Sequence, residues 1–188
     1  MTTLTNVDSW DTLIPGTTVW GERARVWTLG THREYGYLLD ARGNKMGEVE
    51  GTSQFVDYSP VQPLLPGNTV VHSHPDMSPL SPQDVFMATS NDLAYVVAVA
   101  RDGTITASHG FNKDRVGPWI TDSLASVVNR VSDTLSIYGR LDRREAISVA
   151  LHHTWLKAAK EGITDYHYSI GPELQSALDR AAPVLRLA

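Results

Sequence analysis

The chain has 188 residues, 41% of them hydrophobic and including five tryptophans, enough to bury a core of its own in one domain, with or without an appendage. Its formal net charge of −5 arises from 16 basic and 21 acidic residues mixed along the chain, which leaves no basic stripe for a phosphate backbone and makes nucleic acid a poor partner. With no cysteine, disulfides and thiolate metal sites are excluded, and any metal must be held by carboxylates and the seven histidines.

Residues 1–17 are polar and contain Pro15-Gly16, and they read as an N-terminal arm anchored by Trp10. No basic segment followed by an apolar one opens the chain, and no apolar run approaches the ~20 residues that span a bilayer, so the expectation is a cytoplasmic protein with no membrane partner. The stretch 18–29 is rich in β-branched and aromatic residues and predicts a strand. A second strand over 35–40 stops at the turn ARGN, and MGEVEGT supplies its return. Three prolines and a glycine between 57 and 69 predict a loop or one helical turn, leading into a buried strand, NTVVHSH. Ser81 followed by Pro82 is a helix start, with Ser81 as N-cap, for a helix over 82–91. The nearly continuous apolar run 93–100, LAYVVAVA, predicts a central strand covered on both faces, and ITASHG is its partner across Asp102-Gly103.

From 118 the periodicity changes to three-to-four spacing, which predicts two amphipathic helices and a shorter third over 172–186. The expected class is α/β: a mixed β-sheet flanked by helices over residues 18–117, with a C-terminal α-helical extension over 118–188. Trp119, Trp155, Tyr166 and Tyr168 are expected to bury those helices against the sheet. His152 and His153, adjacent on a helix, point about 100° apart and cannot readily share an ion. His32 and His109 receive no role.

The chemistry lies in VVHSHPDMSPLSPQD, residues 70–84. On a strand, His72 and His74 point to the same side and reach one ion at ~2.0–2.1 Å. Pro75 ends the strand, and Asp84 falls in the first turn of the following helix, where its carboxylate swings back as a third ligand. Three protein ligands leave one position open, as a catalytic zinc requires.

This stretch resembles the JAMM, or MPN-plus, zinc metalloprotease family, in which a glutamate precedes His-x-His-Pro and Ser-x-x-Asp. Here the pattern stands as His72-Ser73-His74-Pro75 and Ser81-Pro82-Gln83-Asp84, and the resemblance covers roughly residues 30–108. Nine residues separate His74 from Asp84, one fewer than the commonest spacing of that family. The resemblance implies a sandwich similar to that of cytidine deaminases, zinc as cofactor, His72, His74 and Asp84 as ligands, and Ser81 as an oxyanion stabiliser. It also implies a general base on an earlier strand: Glu34, at the head of an apolar strand, is the choice, and Glu48 and Glu50 are the alternatives. The activity implied is hydrolysis of an amide bond in a protein or peptide by a metal-activated water. The short form is similar to bacterial and phage members, which leaves open a structural or assembly protein, virion-associated and acting through the C-terminal helices. A metal-dependent phosphoesterase would need further histidines and aspartates on later strands, and a RadC-like DNA-associated role lacks its basic patch.

Overall fold

In a computed structural model, residues 4–185 are described. They form a mixed α/β protein around one seven-stranded sheet of order β1-β7-β6-β5-β4-β2-β3. The strands are β1 (Leu4–Asn6), β2 (Tyr35–Leu39), β3 (Lys45–Glu50), β4 (Thr69–His74), β5 (Tyr95–Ala100), β6 (Ile105–His109) and β7 (Asp165–Ser169). Pairs β4–β5 and β1–β7 are parallel and the rest antiparallel. Seven α-helices accompany them: α1 (Trp10–Leu13), α2 (Thr17–Thr31), α3 (Pro82–Ser90), α4 (Lys113–Pro118), α5 (Ala125–Tyr138), α6 (Arg143–Lys160) and α7 (Pro172–Leu185). A 3-10 turn over Ser59–Leu64 fills the proline-rich approach to β4, and a π-helical segment over Trp119–Leu124 joins α4 to α5.

One face of the sheet is covered by α1 and α2, where Tyr37, Leu39, Val71, Val97, Val99 and Ala107 meet Trp10, Ile14 and Ala24. The other face carries Leu38, Val70, Val96 and Ala98 under α3, α5 and α6, with Trp155 and Tyr166 fully enclosed. Strand β4 is buried along its whole length, and this central position fixes the two histidines at its C-terminal end.

Three expectations are corrected. The stretch 18–29 is not a strand but the body of α2. Its buried face consists of Thr17, Gly21, Ala24 and Thr28, small residues at helical spacing, whereas Val19, Val26 and Leu29, which suggested a strand, are more than 40% exposed. The small stripe lets the helix axis approach the sheet closely: a Cβ on Gly21 would lie 2.8 Å from Val99 Cγ2. Gly21→Leu is therefore expected to lower the unfolding free energy by about 1–3 kcal/mol through overpacking. Gly30→Ala on the same helix, with nothing within 4 Å of the added carbon, is expected to raise it by about 0.5–1 kcal/mol; chemical denaturation of both variants checks the pair.

The supposed N-terminal arm places Leu4–Asn6 as an edge strand on β7, and Trp10, 7% exposed, donates from Nε1 to Ser169 Oγ at 2.9 Å. The expected helical extension likewise contains β7, and Tyr166 and Tyr168 pack against α6 as expected but from this strand of the sheet. Residues 118–185 are thus continuous with the sheet in residues 165–169, and their helices brace the loop 75–81. Trp155 Nε1 of α6 donates to Leu80 O at 2.7 Å, and Met77 packs with Leu135, Ala146, Val149 and Leu174 of α5, α6 and α7.

Candidate metal centre

The histidines alternate with Ser73 along β4, and that alternation divides the labour. Ser73 turns to the α2 face, where its Oγ bonds Thr28 and accepts the Tyr35 amide at 3.1 Å. His72 and His74 turn to the other face. His72 is flanked by Gly36 across β2 and by Ala98 across β5, and His74 by Ala100, so small neighbours leave room for two imidazoles.

The third group comes from the start of α3. Ser81 is the N-cap, Pro82 is the first helical residue, and Asp84 completes a capping box with Ser81. Ser81 N donates to Asp84 Oδ2 at 2.7 Å, and Asp84 N donates to Ser81 Oγ at 3.2 Å. The cap thereby fixes one carboxylate oxygen and leaves Oδ1 facing His72 Nε2 at 3.2 Å; Oδ2 lies 3.5 Å from His74 Nε2. The two Nε2 atoms are 2.9 Å apart.

These separations fit a metal. A tetrahedral ion with bonds of ~2.0–2.1 Å holds its ligand atoms about 3.3 Å from one another. The His72 and His74 ring centroids are 4.8 Å apart with ring planes at 65°, so the rings are turned off the line joining their nitrogens. His74 Nδ1 donates to Ser78 O at 2.9 Å, which sets the tautomer that leaves Nε2 free to ligate. His72 Nδ1 is buried with no hydrogen-bond partner among the described residues. Among those residues, His72, His74 and Asp84 are the group able to hold a metal ion.

A second imidazole pair makes a useful contrast. His109 of β6 and His167 of β7 also bring Nε2 atoms to 2.9 Å, on the sheet face opposite the metal centre. Their rings are nearly coplanar at 7°, with centroids 5.1 Å apart, so the nitrogens meet almost head-on. That is the geometry of an N–H···N hydrogen bond, in which the nitrogens face each other across one proton. His152 is buried and bonds Tyr166 Oη at 3.0 Å, while its neighbour His153 faces outward. His32 ends α2 in a left-handed conformation at φ 57° and is exposed.

The carboxylates also separate. Glu34 is 7% exposed and lies beside the centre, in a cleft of about 290 Å3 that it lines with His74, Ser81, Asp84, Tyr58 and Met87. Its backbone is held at the mouth of the β2–β3 hairpin, with Glu34 N donating to Thr52 O at 2.6 Å and Gly51 N to Glu34 O at 2.9 Å. Glu48 and Glu50 are exposed on β3, paired with Lys45 at 2.7 Å and with Arg33 respectively. Ser81 lines the cleft; its oxygen accepts the cap bond, which leaves its hydroxyl proton to donate elsewhere.

The electrostatics follow from burial. Desolvation raises Glu34 above the ordinary carboxyl range, against the pull of His74 and His72. For Asp84, desolvation is outweighed by His72 and His74, and its pKa lies well below the ordinary value. For His74, burial is outweighed by the Asp84 carboxylate and the pKa rises from 6.5 to about 9. Without a cation between them, the proton on His74 supplies the positive charge that Asp84 faces.

The sign of the resulting pH dependence is fixed. A histidine raised on folding stabilises fully below its unfolded value of 6.5 and loses that contribution as pH climbs through about 9. An aspartate lowered on folding stabilises above its unfolded value of 3.8 and loses that contribution as pH falls below it. Chelator-treated protein is expected to melt highest between these limits and to lose stability between pH 6.5 and about 9, as melting curves across that range will record. A divalent metal bound by these residues would need the neutral imidazole and would release protons on binding at pH 7.

Tyr58 escaped the sequence reading. It lies in the proline-rich stretch 57–69, where nothing in the spacing distinguishes it. In the fold it is 7% exposed and lines the cleft, with its hydroxyl lacking a partner among the described residues. Comparison with protein-family models, curated proteins and solved structures finds no match for this chain.

Proposed function

We propose that the protein is a zinc-dependent peptidase or isopeptidase in which His72, His74 and Asp84 hold the metal and Glu34 is the general base. The observation that carries this reading is the convergence of His72 Nε2, His74 Nε2 and the two Asp84 carboxylate oxygens, with neighbouring separations of 2.9–3.5 Å, beside the buried Glu34 carboxylate, which is outside that group. A divalent metal held there supplies the acidification of a water and the polarisation of an amide carbonyl. Glu34 takes the proton of the attacking water and passes it to the leaving amine, a transfer suited to a carboxyl whose pKa burial has raised. The Ser81 hydroxyl donates to the developing oxyanion, in addition to its role at the helix cap. The substrate is a protein or peptide chain laid in the cleft past Phe55, Val56 and Met87.

Chelator-sensitive cleavage of a mixed peptide and isopeptide library, assayed with the zinc-loaded protein, tests this reading. Release of new amino termini that stops on chelation and returns with zinc supports it. The same zinc content with no cleavage favours the other reading, an assembly protein. That reading draws on Ile137 and Tyr138, which are 70% and 73% exposed at the end of α5.

A further inference from the structure

Two buried polar atoms at the centre lack partners among the described residues: His72 Nδ1 and Tyr58 Oη. They belong to one neighbourhood. Tyr58 reaches in from the segment preceding the 3-10 turn, and its hydroxyl occupies the space above Gly36 so closely that a Cβ at Gly36 would collide with it. Gly36 is the cross-strand partner of His72 on β4, and paired residues of neighbouring strands present their side chains on the same face. An imidazole that ligates through Nε2 carries its proton on Nδ1 and needs an acceptor for it. His74 has one in Ser78 O, at 2.9 Å, whereas no backbone carbonyl or carboxylate among the described residues serves His72.

We propose that Tyr58 is a positioning residue of the metal centre: its hydroxyl oxygen accepts the Nδ1 proton of His72 across one enclosed water, and so fixes that ring with Nε2 toward the metal. A buried donor and a buried acceptor, each costly to leave unmade, satisfy one another in this arrangement. Burial, together with the charges of Asp84 and Glu34, holds the phenol well above its ordinary value, so the oxygen remains a neutral hydroxyl. Gly36 is required for the same reason, because any side chain there displaces the hydroxyl.

The inference rests on the metal reading above, and the test separates the two. Zinc affinity of wild type and Tyr58→Phe is measured by competition with a chromophoric chelator, alongside melting of both metal-free proteins. Tyr58→Phe is expected to bind zinc about 10–100-fold more weakly with a metal-free melting temperature close to wild type, since without a metal on Nε2 the His72 proton can reside there, facing Asp84 Oδ1. In the zinc-loaded wild type, the His72 Nδ1 proton is expected as an exchange-protected, downfield resonance that broadens or vanishes in the variant. Equal zinc affinity and an unchanged resonance in Tyr58→Phe overturn the assignment while leaving the metal centre standing. Failure of the wild type itself to bind zinc overturns the metal reading, and this inference with it.

Discussion

Asp84→Ala is expected to abolish stoichiometric zinc binding, lowering affinity by more than the 10–100-fold typical of outer-shell changes, because a ligand itself is removed. The same change strips the capping box of its N3 side chain, at a cost near 1 kcal/mol, and leaves His74 without the carboxylate that raises its pKa. Asp84→Asn separates the two effects. It keeps an oxygen for the Ser81 amide while surrendering the charge, so it should retain most of the fold's stability and still lose zinc. Zinc content by elemental analysis and unfolding by denaturant report on the two effects independently. An Asp84→Ala protein that holds one zinc per chain would remove Asp84 from the ligand set.

Glu34→Gln is expected to have the opposite profile: full zinc content and a cleavage rate lower by about 10²–10⁴-fold, the usual contribution of a positioned general base. Its metal-free stability should be unchanged or greater. A buried carboxyl whose pKa is raised by desolvation destabilises the folded state wherever it is ionised, and glutamine removes that charge at nearly constant volume. Glu48→Gln and Glu50→Gln should leave both zinc and cleavage close to wild type, since those residues are exposed and paired with Lys45 and Arg33 away from the cleft. A zinc-loaded Glu34→Gln protein with undiminished cleavage would exclude Glu34 as the base.

How much of this could be read from the sequence depended on how local each signal was. The proposed ligand set lies within one stretch of chain, where strand alternation places His72 and His74 together and Ser-Pro announces the helix that carries Asp84. The α/β class and the mixed sheet flanked by helices were legible for the same reason, because β4, α3, β5 and β6 follow one another with clear punctuation. Helix α2 was misread because its buried face is made of Thr17, Gly21, Ala24 and Thr28, which hydrophobic periodicity does not register, while its exposed face carries valine and leucine. Strand β7 was hidden because its five residues sit between two long helices and its partners β6 and β1 are remote in sequence. Tyr58 was invisible because its importance arises from the void above Gly36, a tertiary fact with no trace in the spacing of DYSPVQ.

The helices after residue 117 take on a more specific role than an appendage. Through Trp155 and Met77 they grip the loop between the histidine strand and the aspartate helix, and Thr106 Oγ1 accepts the Leu80 amide at 3.0 Å from the sheet side. The distance between the two parts of the proposed ligand set is therefore governed by residues far along the chain, as a site whose donors must be held within a few tenths of an ångström would require.

Metal content tests the proposed centre most directly, measured by elemental analysis of wild type and His74→Ala after zinc loading and exhaustive dialysis. The prediction is one zinc per wild-type chain and none in the variant. Equal zinc in both proteins, or none in the wild type, would contradict it.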